Sequence, residues 1–314
     1  MRLLTVELQR LFSRRAVVIL MLLCTLGVGA IAAGIIYTAR PVSAAEMAAA
    51  QREADEMNRA PWMQREVARC LKRGDSQVQC ERDIGVRPEY LISRRPLDTS
   101  DWKVWLLSMA ALVAAVSVLI GATFIGADYA SGSLSTQLLF QPSRLKVWGA
   151  KAGALLIGVG TFALVGLGSS DLALWIAAKA WDVQLGQGLQ ESWAAGVGRS
   201  IAFAAVASVT GYAIVVLARH TAAALGLIAV YALVVETAVR AIWRGSERWL
   251  PSNHFIAWVQ GKWKVETYGG CDARGRCRPT ITRFDIPDAF VYLGLLSLVV
   301  VVASLLVFRR RDVA

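Results

Sequence analysis

The sequence has little charge for its length. Only 18% of its 314 residues are Asp, Glu, Lys or Arg, whereas 56% are hydrophobic. A soluble domain normally carries about 25% charged residues. The hydrophobic residues come in runs of about 20, the length of helix that crosses a hydrocarbon core of about 30 Å. The runs do not alternate with period two, as barrel strands would. The composition therefore predicts an all-α polytopic membrane protein.

The usual catalytic motifs are also missing. The sequence contains no G-x-x-x-x-G-K-[ST] loop for nucleotide phosphates, no H-E-x-x-H, no C-x-x-C-H and no G-x-S-x-G. It has only two histidines, His220 and His254, and they fall on opposite predicted sides of the membrane. A histidine-based catalytic site is hard to build from such a pair. We therefore expect this chain to be no enzyme and to hold no cofactor of its own.

The net charge of +11 would suggest a nucleic-acid partner in a soluble protein. In a membrane protein, basic residues collect at the cytoplasmic ends of spans and near anionic lipid. We therefore expect membrane lipid, and no nucleic acid, as a partner.

Six hydrophobic runs define the predicted topology. We predict spans at 16–38, 104–127, 147–176, 194–217, 221–242 and 289–308. The first segment, 1–15, is predicted to be a cytoplasmic amphipathic surface helix, and the segment 39–103 a small helical ectodomain. The other connections are a cytoplasmic segment at 128–146, an outer loop at 177–193, an inner turn at 218–220, a second outer segment at 243–288 and a cytoplasmic tail at 309–314.

Two signals predict that both termini are cytoplasmic. Tryptophans mark the predicted outer ends of the spans, where an aromatic belt belongs; they are Trp102, Trp105, Trp175, Trp181, Trp193 and Trp243. Positive charge concentrates in the short inner segments, as the positive-inside rule requires. The inner basic residues are Arg2, Arg10, Arg14, Arg15, Arg144, Lys146, Lys151, Arg219, Arg309, Arg310 and Arg311, against Glu7, Asp128 and Asp312.

The cysteines agree with this topology. Cys70 and Cys80 lie in the first outer segment, Cys271 and Cys277 in the second, and Cys24 within span one. Cysteines in an oxidising compartment predict two disulfides that staple the outer segments. Pairing within each segment is the simplest arrangement, although others are possible. A metal site of Cys271, Cys277 and His254 is the alternative, but the spacing fits no common zinc pattern, so we expect no metal.

The stretch GATFIGADYASGSLSTQLLFQPSRLKVWGAK, at 121–151, contains the most informative connection. Leu134, Leu138 and Leu139 can form the apolar stripe of a short helix that Pro142 ends. A short amphipathic helix on the cytoplasmic side suits docking into a partner's groove. An ordinary loop between spans is the alternative.

This stretch resembles the segment after span two in the permease subunits of type-2 ABC exporters. The opening residues, 7–15, and the ending, 308–313, resemble the same family, which usually has glutamate where this chain has Asp128. The residues of the stretch that carry the resemblance are Asp128, Ser131, Gly132, Ser133, Leu138, Leu139, Pro142, Arg144, Ala150 and Lys151.

The resemblance implies a division of labour. Two permease chains, either two copies or a copy and a homologue, enclose a path in the bacterial inner membrane. A dimer of a separate cytoplasmic P-loop ATPase holds ATP and magnesium and drives alternating access. The docking residues carried over from the family are Asp128, Ser131, Gly132, Leu134, Leu138, Leu139, Pro142 and Arg144. The alternative function is a membrane-embedded sensor or immunity scaffold, or an accessory protein, acting through its ectodomains.

Charged residues within the spans are candidates for a translocation path or gate, because charges in lipid are costly and usually face a cavity. These are Asp171, Arg199, Glu236 and Arg240. A structural ion pair or snorkelling to the interface is the alternative. In span three, Gly149 and Gly153 form a G-x-x-x-G motif that predicts close helix packing.

Overall fold

The computed structural model describes residues 2–92, 99–183, 189–243, 245–271 and 277–310. The structure is 85% helical. Within the described ranges, six helices are long and apolar enough to span a membrane, so the all-α polytopic fold class is confirmed. The chain divides into two compact units, which we describe separately. The first comprises the described residues of Met1–Ala33, Thr99–Ile176 and Gln184–Ala314, and the second those of Gly34–Asp98 and Ala177–Val183.

The elements follow one another with short connections. In chain order they are α1 (Arg2–Ser13), α2 (Arg15–Ala39), α3 (Ala44–Arg59), α4 (Pro61–Lys72), α5 (Gln77–Ile84), α6 (Pro88–Leu91), α7 (Thr99–Ala130), α8 (Ser133–Phe140), α9 (Arg144–Ala180), α10 (Leu189–Ala218), α11 (Thr221–Val230), a π-helical turn (Tyr231–Val235), α12 (Glu236–Ile242), a 3-10 turn (Ser246–Trp249), α13 (Pro251–Gln260), β1 (Lys262–Cys271), β2 (Cys277–Asp285) and α14 (Ile286–Arg310).

The six spans are α2, α7, α9, α10, the continuous α11–α12 segment and α14. Their helices extend past the predicted limits by about one and a half turns at most, at the starts of α7 and α10. Because consecutive spans run in opposite directions, α1, α8 and the end of α14 lie at one end of the bundle. We call it the N-terminal end. A hydrogen bond of 3.1 Å from Trp148 Nε1 to Ser304 Oγ joins α9 to α14 near this end.

The closest helix contact joins α7 and α10. A Cβ atom on Gly121 would lie 1.8 Å from the carbonyl oxygen of Ser208, and one on Gly211 would lie 2.4 Å from that of Val118. Only glycine allows the two backbones to approach so closely. Spans two and four are therefore locked together at two reciprocal glycine positions.

The G-x-x-x-G motif in span three packs closely against another helix at one of its two glycines. A Cβ on Gly149 would meet nothing within 4 Å. A Cβ on Gly153 would contact Leu4 of α1 at 3.2 Å, and one on Gly158 would clash with Leu11 at 2.5 Å. Gly153 and Gly158 thus contact leucines of α1, whereas a Cβ on Gly160 would lie 3.8 Å from Ala205 of α10.

The second unit is a small helical domain. Ser43 and Glu46 form a capping box that begins α3, and Pro61 occupies the first turn of α4 as predicted. The predicted disulfide between Cys70 and Cys80 is confirmed, with an S–S distance of 2.07 Å, and joins α4 to α5. The unit is therefore stapled covalently, as a small domain with little core requires.

A β-hairpin follows α13 and was not predicted. Strands β1 and β2 are antiparallel. Lys262 pairs with Asp285 at the open end of the hairpin, and Cys271 pairs with Cys277 at the end next to the turn. One face of the hairpin carries Trp263 and Val265, which pack against the cluster formed by Ala257, Phe284 and Ala289. The sequence KWKVET alternates between polar and apolar residues, which is the period of a half-buried strand. The second outer segment is therefore a helix and a hairpin.

Candidate functional site

The most unusual feature of the first unit is a group of buried charges at the N-terminal end. The side chains of Glu7, Asp128 and Lys151 are each 0% exposed. Lys151 Nζ lies 2.9 Å from Glu7 Oε2 and 2.6 Å from Asp128 Oδ2. Together with Arg14, which forms an ion pair with Asp128, these residues constitute what we call the ion-pair cluster.

Helical spacing explains why Glu7 points inward. Glu7 lies three residues after Leu4 and four before Leu11, so all three occupy one face of α1. That face packs on α9, where Leu11 is fully buried. Lys151 lies four residues after Val147 and four before Leu155, so these three residues share one face of α9. Val147 and Leu155 are both fully buried. The two charged residues therefore face each other across the α1–α9 contact.

Asp128 lies near the end of α7, and both of its oxygens are occupied. Oδ2 accepts a hydrogen bond from Lys151. Oδ1 accepts one from Arg14 and another, at 2.7 Å, from the hydroxyl of Ser133. The ring of Phe124 lies 5.1 Å from both the Arg14 guanidinium and the Lys151 ammonium, a cation–π distance. Asp128 thus joins α7 to the start of α8.

Glu7 joins α1 to the other end of α8. Gln137 Nε2 donates to Glu7 Oε1 at 2.5 Å, and Arg10 donates to Gln137 Oε1 at 3.1 Å. Ser133 and Gln137 lie one turn apart on α8, so both contact the cluster from the same face. The short helix α8 is therefore held at two points against α1, α7 and α9.

The cluster has two carboxylates against one ammonium and one guanidinium, and Arg10 lies 3.5 Å from Glu7 at its edge. Burying each ion costs several kcal/mol, which pairing must offset. The arrangement offers no nucleophile and no activated base, because every acceptor of Asp128 and Glu7 is engaged by a cation or a donor. The contacts of the cluster join α1, α7, α8 and α9 to one another.

The residues predicted to dock an ATPase do not share one surface. Asp128 is fully buried, and Leu134 is 1% exposed within the core. Leu138 is partly buried against the same core. A partner that binds the surface of this chain would therefore contact neither Asp128 nor Leu134 directly, and docking by the other residues of the set stays a prediction. Asp128 accepts a hydrogen bond from Ser133 of α8, and Leu134 packs α8 into the core.

The exposed part of this segment is its far end. Leu139 is 82% exposed, and the neighbouring Phe140, which the sequence analysis missed, is 84% exposed. Ser131 and Pro142 are exposed as well, whereas Arg144 is partly buried at the start of α9. Gly132 has a positive φ of 67° at the start of α8, a conformation that favours glycine.

A groove runs between α1 and α8 beside these exposed side chains. Its volume is ≈ 670 Å³. It combines apolar Val6 and Phe140 with polar Arg10, Thr136 and Gln137. A groove of mixed polarity next to two exposed apolar side chains has the composition of a protein-binding surface.

Arg199, one of the predicted gate residues, binds backbone rather than another charge. Its guanidinium donates to the carbonyl oxygens of Trp258 at 2.5 Å and Val259 at 2.9 Å. In return, Trp258 Nε1 donates to the Arg199 carbonyl at 2.8 Å. The cation therefore caps the C-terminus of α13, where the helix dipole favours positive charge.

The other predicted gate residues have separate surroundings. Arg240 lies 3.6 Å from Glu236, one turn away, and 3.4 Å from Glu247. Asp171 Oδ1 is buried, with no hydrogen-bond partner among the described residues. The structure thus brings Glu236 and Arg240 together, but gives Arg199 different partners.

The second pair of predicted disulfide cysteines is described only in its backbone. Cys271 and Cys277 are opposite each other in the hairpin register, but their side chains lie outside the described residues, so this disulfide stays a prediction. His254, the third candidate metal ligand, stacks on Tyr292 and places Nε2 2.9 Å from the carbonyl oxygen of Arg248.

Comparison with known proteins adds no assignment. No family model matches the chain, and no curated protein and no solved structure is similar to it.

Proposed function

We propose that the chain is the transmembrane permease subunit of an ATP-driven ABC exporter, powered by a separate cytoplasmic P-loop ATPase. The observation that supports this most is the attachment of α8. One side of α8 is bound to α1 and two spans through the ion-pair cluster, and its end presents Leu139 and Phe140. A partner that moved α8 would therefore move α7 and α9.

The surface around α8 favours a soluble protein over lipid as the occupant. Large exposed apolar side chains that are rimmed by polar residues mark interaction sites. Arg10, Thr136 and Gln137 line the adjoining groove, and lipid chains would leave their polar groups without hydrogen bonds. An ATPase with an apolar pocket and a polar rim satisfies both parts of this surface.

The distribution of charge supports a cytoplasmic location for the N-terminal end. Basic residues mark each segment at this end, as the positive-inside rule expects of cytoplasmic loops. They include Arg10, Arg14, Lys146, Arg219 and Arg309. In this proposal both termini are cytoplasmic and the chain resides in the bacterial inner membrane, as the family resemblance implies.

A second permease, either a copy or a homologue, forms the other half of the transporter in this proposal. In an apolar 18-residue stretch of spans two, three and four, 44%, 44% and 50% of the residues are buried, whereas the share is only 6% in spans five and six. In this proposal the second permease covers part of this exposed apolar surface, and lipid covers the rest.

ATP binding would then act on a two-state element. Closure of the ATPase dimer pushes on Leu139 and Phe140, and the ion-pair cluster transmits the displacement to α7 and α9. The path between the two permeases changes from inward-facing to outward-facing. The cytoplasmic ATPase supplies ATP and magnesium, and this chain supplies the path.

The test is a pull-down of the tagged full-length chain from its native host in mild detergent, with partners identified by mass spectrometry. The test variant is Leu139→Asp/Phe140→Asp. The matched control is Val78→Asp/Tyr90→Asp, which makes the same kind of change at exposed ectodomain positions. We expect a P-loop ATPase with the wild type and the control, and at least about tenfold less with the test variant, because hot-spot side chains each contribute about 2 kcal/mol or more.

Two results would contradict the proposal. Equal recovery of the ATPase with the test variant would remove α8 as the docking site. Recovery of the folded wild-type chain with no nucleotide-binding partner would favour a sensor or scaffold that acts through the ectodomains. Equal melting temperatures for the three proteins would show that a loss of binding is not a loss of folding.

A further inference from the structure

A cleft lies at the opposite end of the bundle, between the 3-10 turn Ser246–Trp249, α13, β2 and the start of α14. Its volume is ≈ 570 Å³. Along α14 its lining changes from Asp288, through Val291, to Leu295. These positions extend over about 10 Å of helix axis. The cleft is therefore polar at the end of span six and apolar toward the middle of that span.

The polar end of the cleft carries two guanidinium groups against the one carboxylate of Asp288. Arg248 and Arg283 line it, and both are exposed. Among the described residues, no ion pair joins either guanidinium to a carboxylate. The hairpin register also places Lys264 directly opposite Arg283. Like charges opposite each other on one face of a hairpin are unfavourable, so a bound anion would relieve the repulsion.

The walls of the cleft are held by side-chain hydrogen bonds. The Arg248 carbonyl can only accept, so His254 Nε2 carries the proton that it shares with this oxygen at 2.9 Å. The imidazole stacks on Tyr292 with 4.0 Å between ring centroids. Tyr292 donates its hydroxyl to the Trp249 carbonyl at 2.6 Å. Span six is thereby tied to the turn that carries Arg248, and a preformed site loses little entropy on binding.

We propose that this cleft binds an anionic phospholipid. The phosphate is recognised by Arg248 and Arg283, because guanidinium groups bind phosphate through paired charge-assisted hydrogen bonds. An acyl chain lies along Val291 and Leu295. Trp249 is 63% exposed beside the mouth, and tryptophan is typical of the headgroup level of a membrane. The lipid site is independent of the exporter proposal and of which side of the membrane this end faces.

The experiment titrates the full-length chain in mild detergent with phosphatidylglycerol or phosphatidylcholine and counts bound lipids by native mass spectrometry. The test variant is Arg248→Gln/Arg283→Gln. The matched control is Arg52→Gln/Arg65→Gln, which removes the same charge from exposed ectodomain positions. We expect the test variant to bind phosphatidylglycerol at least about tenfold more weakly, with no change for the control or for phosphatidylcholine.

Two further arms separate a lipid from a free phosphate. Val291→Trp fills the apolar part of the cleft and should weaken phosphatidylglycerol binding, and inorganic phosphate at millimolar concentration should not displace the lipid. Equal wild-type affinity for the two lipids would overturn the proposal without any variant. An arginine variant that binds as the wild type does would also overturn it, as would complete displacement by inorganic phosphate, which would indicate a simple anion site.

Discussion

The two ends of the first unit treat charged residues differently. At the N-terminal end, Glu7, Asp128 and Lys151 come from three helices far apart in sequence and are completely buried. At the opposite end, Glu236 and Arg240 are one turn apart on the same span, and the Arg240 side chain is 43% exposed. The first group joins helices, and removal of one member leaves its buried partner charged, unpaired and out of reach of water. The second is a local pair that water and snorkelling can compensate.

The largest expected effect comes from removing the cation of the ion-pair cluster. Lys151→Met leaves two buried carboxylates without their shared partner, so we expect the free energy of unfolding to fall by about 3–5 kcal/mol. Denaturation of the full-length chain in detergent micelles measures this change. Lys146→Met is the control, because Lys146 is exposed in the first turn of the same helix. An equal effect of the two substitutions would show that the cluster has no special role.

A double-mutant cycle tests whether the buried charges act as one unit. In the background of Glu7→Gln, one carboxylate is already neutral, so Lys151→Met should destabilise the protein less. We expect a coupling energy of about 1–3 kcal/mol between the two positions, measured by the same denaturation. Strict additivity would mean that the 2.9 Å contact between Lys151 and Glu7 contributes little to stability.

The smallest expected effect is at the opposite end. Glu236→Gln removes the charge pair at helical spacing while Arg240 keeps Glu247 as its partner, so we expect a change in the free energy of unfolding of about 0–1 kcal/mol. The measurement is made on the isolated chain. A loss above about 2 kcal/mol would contradict this assignment and would place the pair in a dry interface.

Much of the fold could be predicted from the sequence, because long apolar runs and two cysteines ten residues apart are local features of the chain. The six spans and the Cys70–Cys80 disulfide are of this kind. The β-hairpin also had a local signal, the alternation in KWKVET, which a search for spans overlooks. Reading the face of α1 that carries Leu4 and Leu11 would have shown that Glu7 points inward.

The arrangement of α8 was less accessible to sequence reasoning. Its apolar residues are consecutive or nearly so, and which of them face the core depends on the direction in which the chain leaves Gly132. The structure turns Leu134 inward and Leu139 and Phe140 outward. Likewise, Asp128 looked like a surface residue because its partners, Arg14 and Lys151, are brought to it only by tertiary packing.

The central claim is that the ion-pair cluster holds α8 in place, and hydrogen exchange measured on the full-length chain tests it most directly. Asp128→Asn keeps the shape of the side chain but removes the charge that binds Arg14 and Lys151. We predict faster amide exchange in α1 and α8, because the free energy of local opening falls there. Exchange in α13 and the hairpin should not change. Unchanged exchange in α1 and α8, or an equal rise throughout the chain, would contradict the claim.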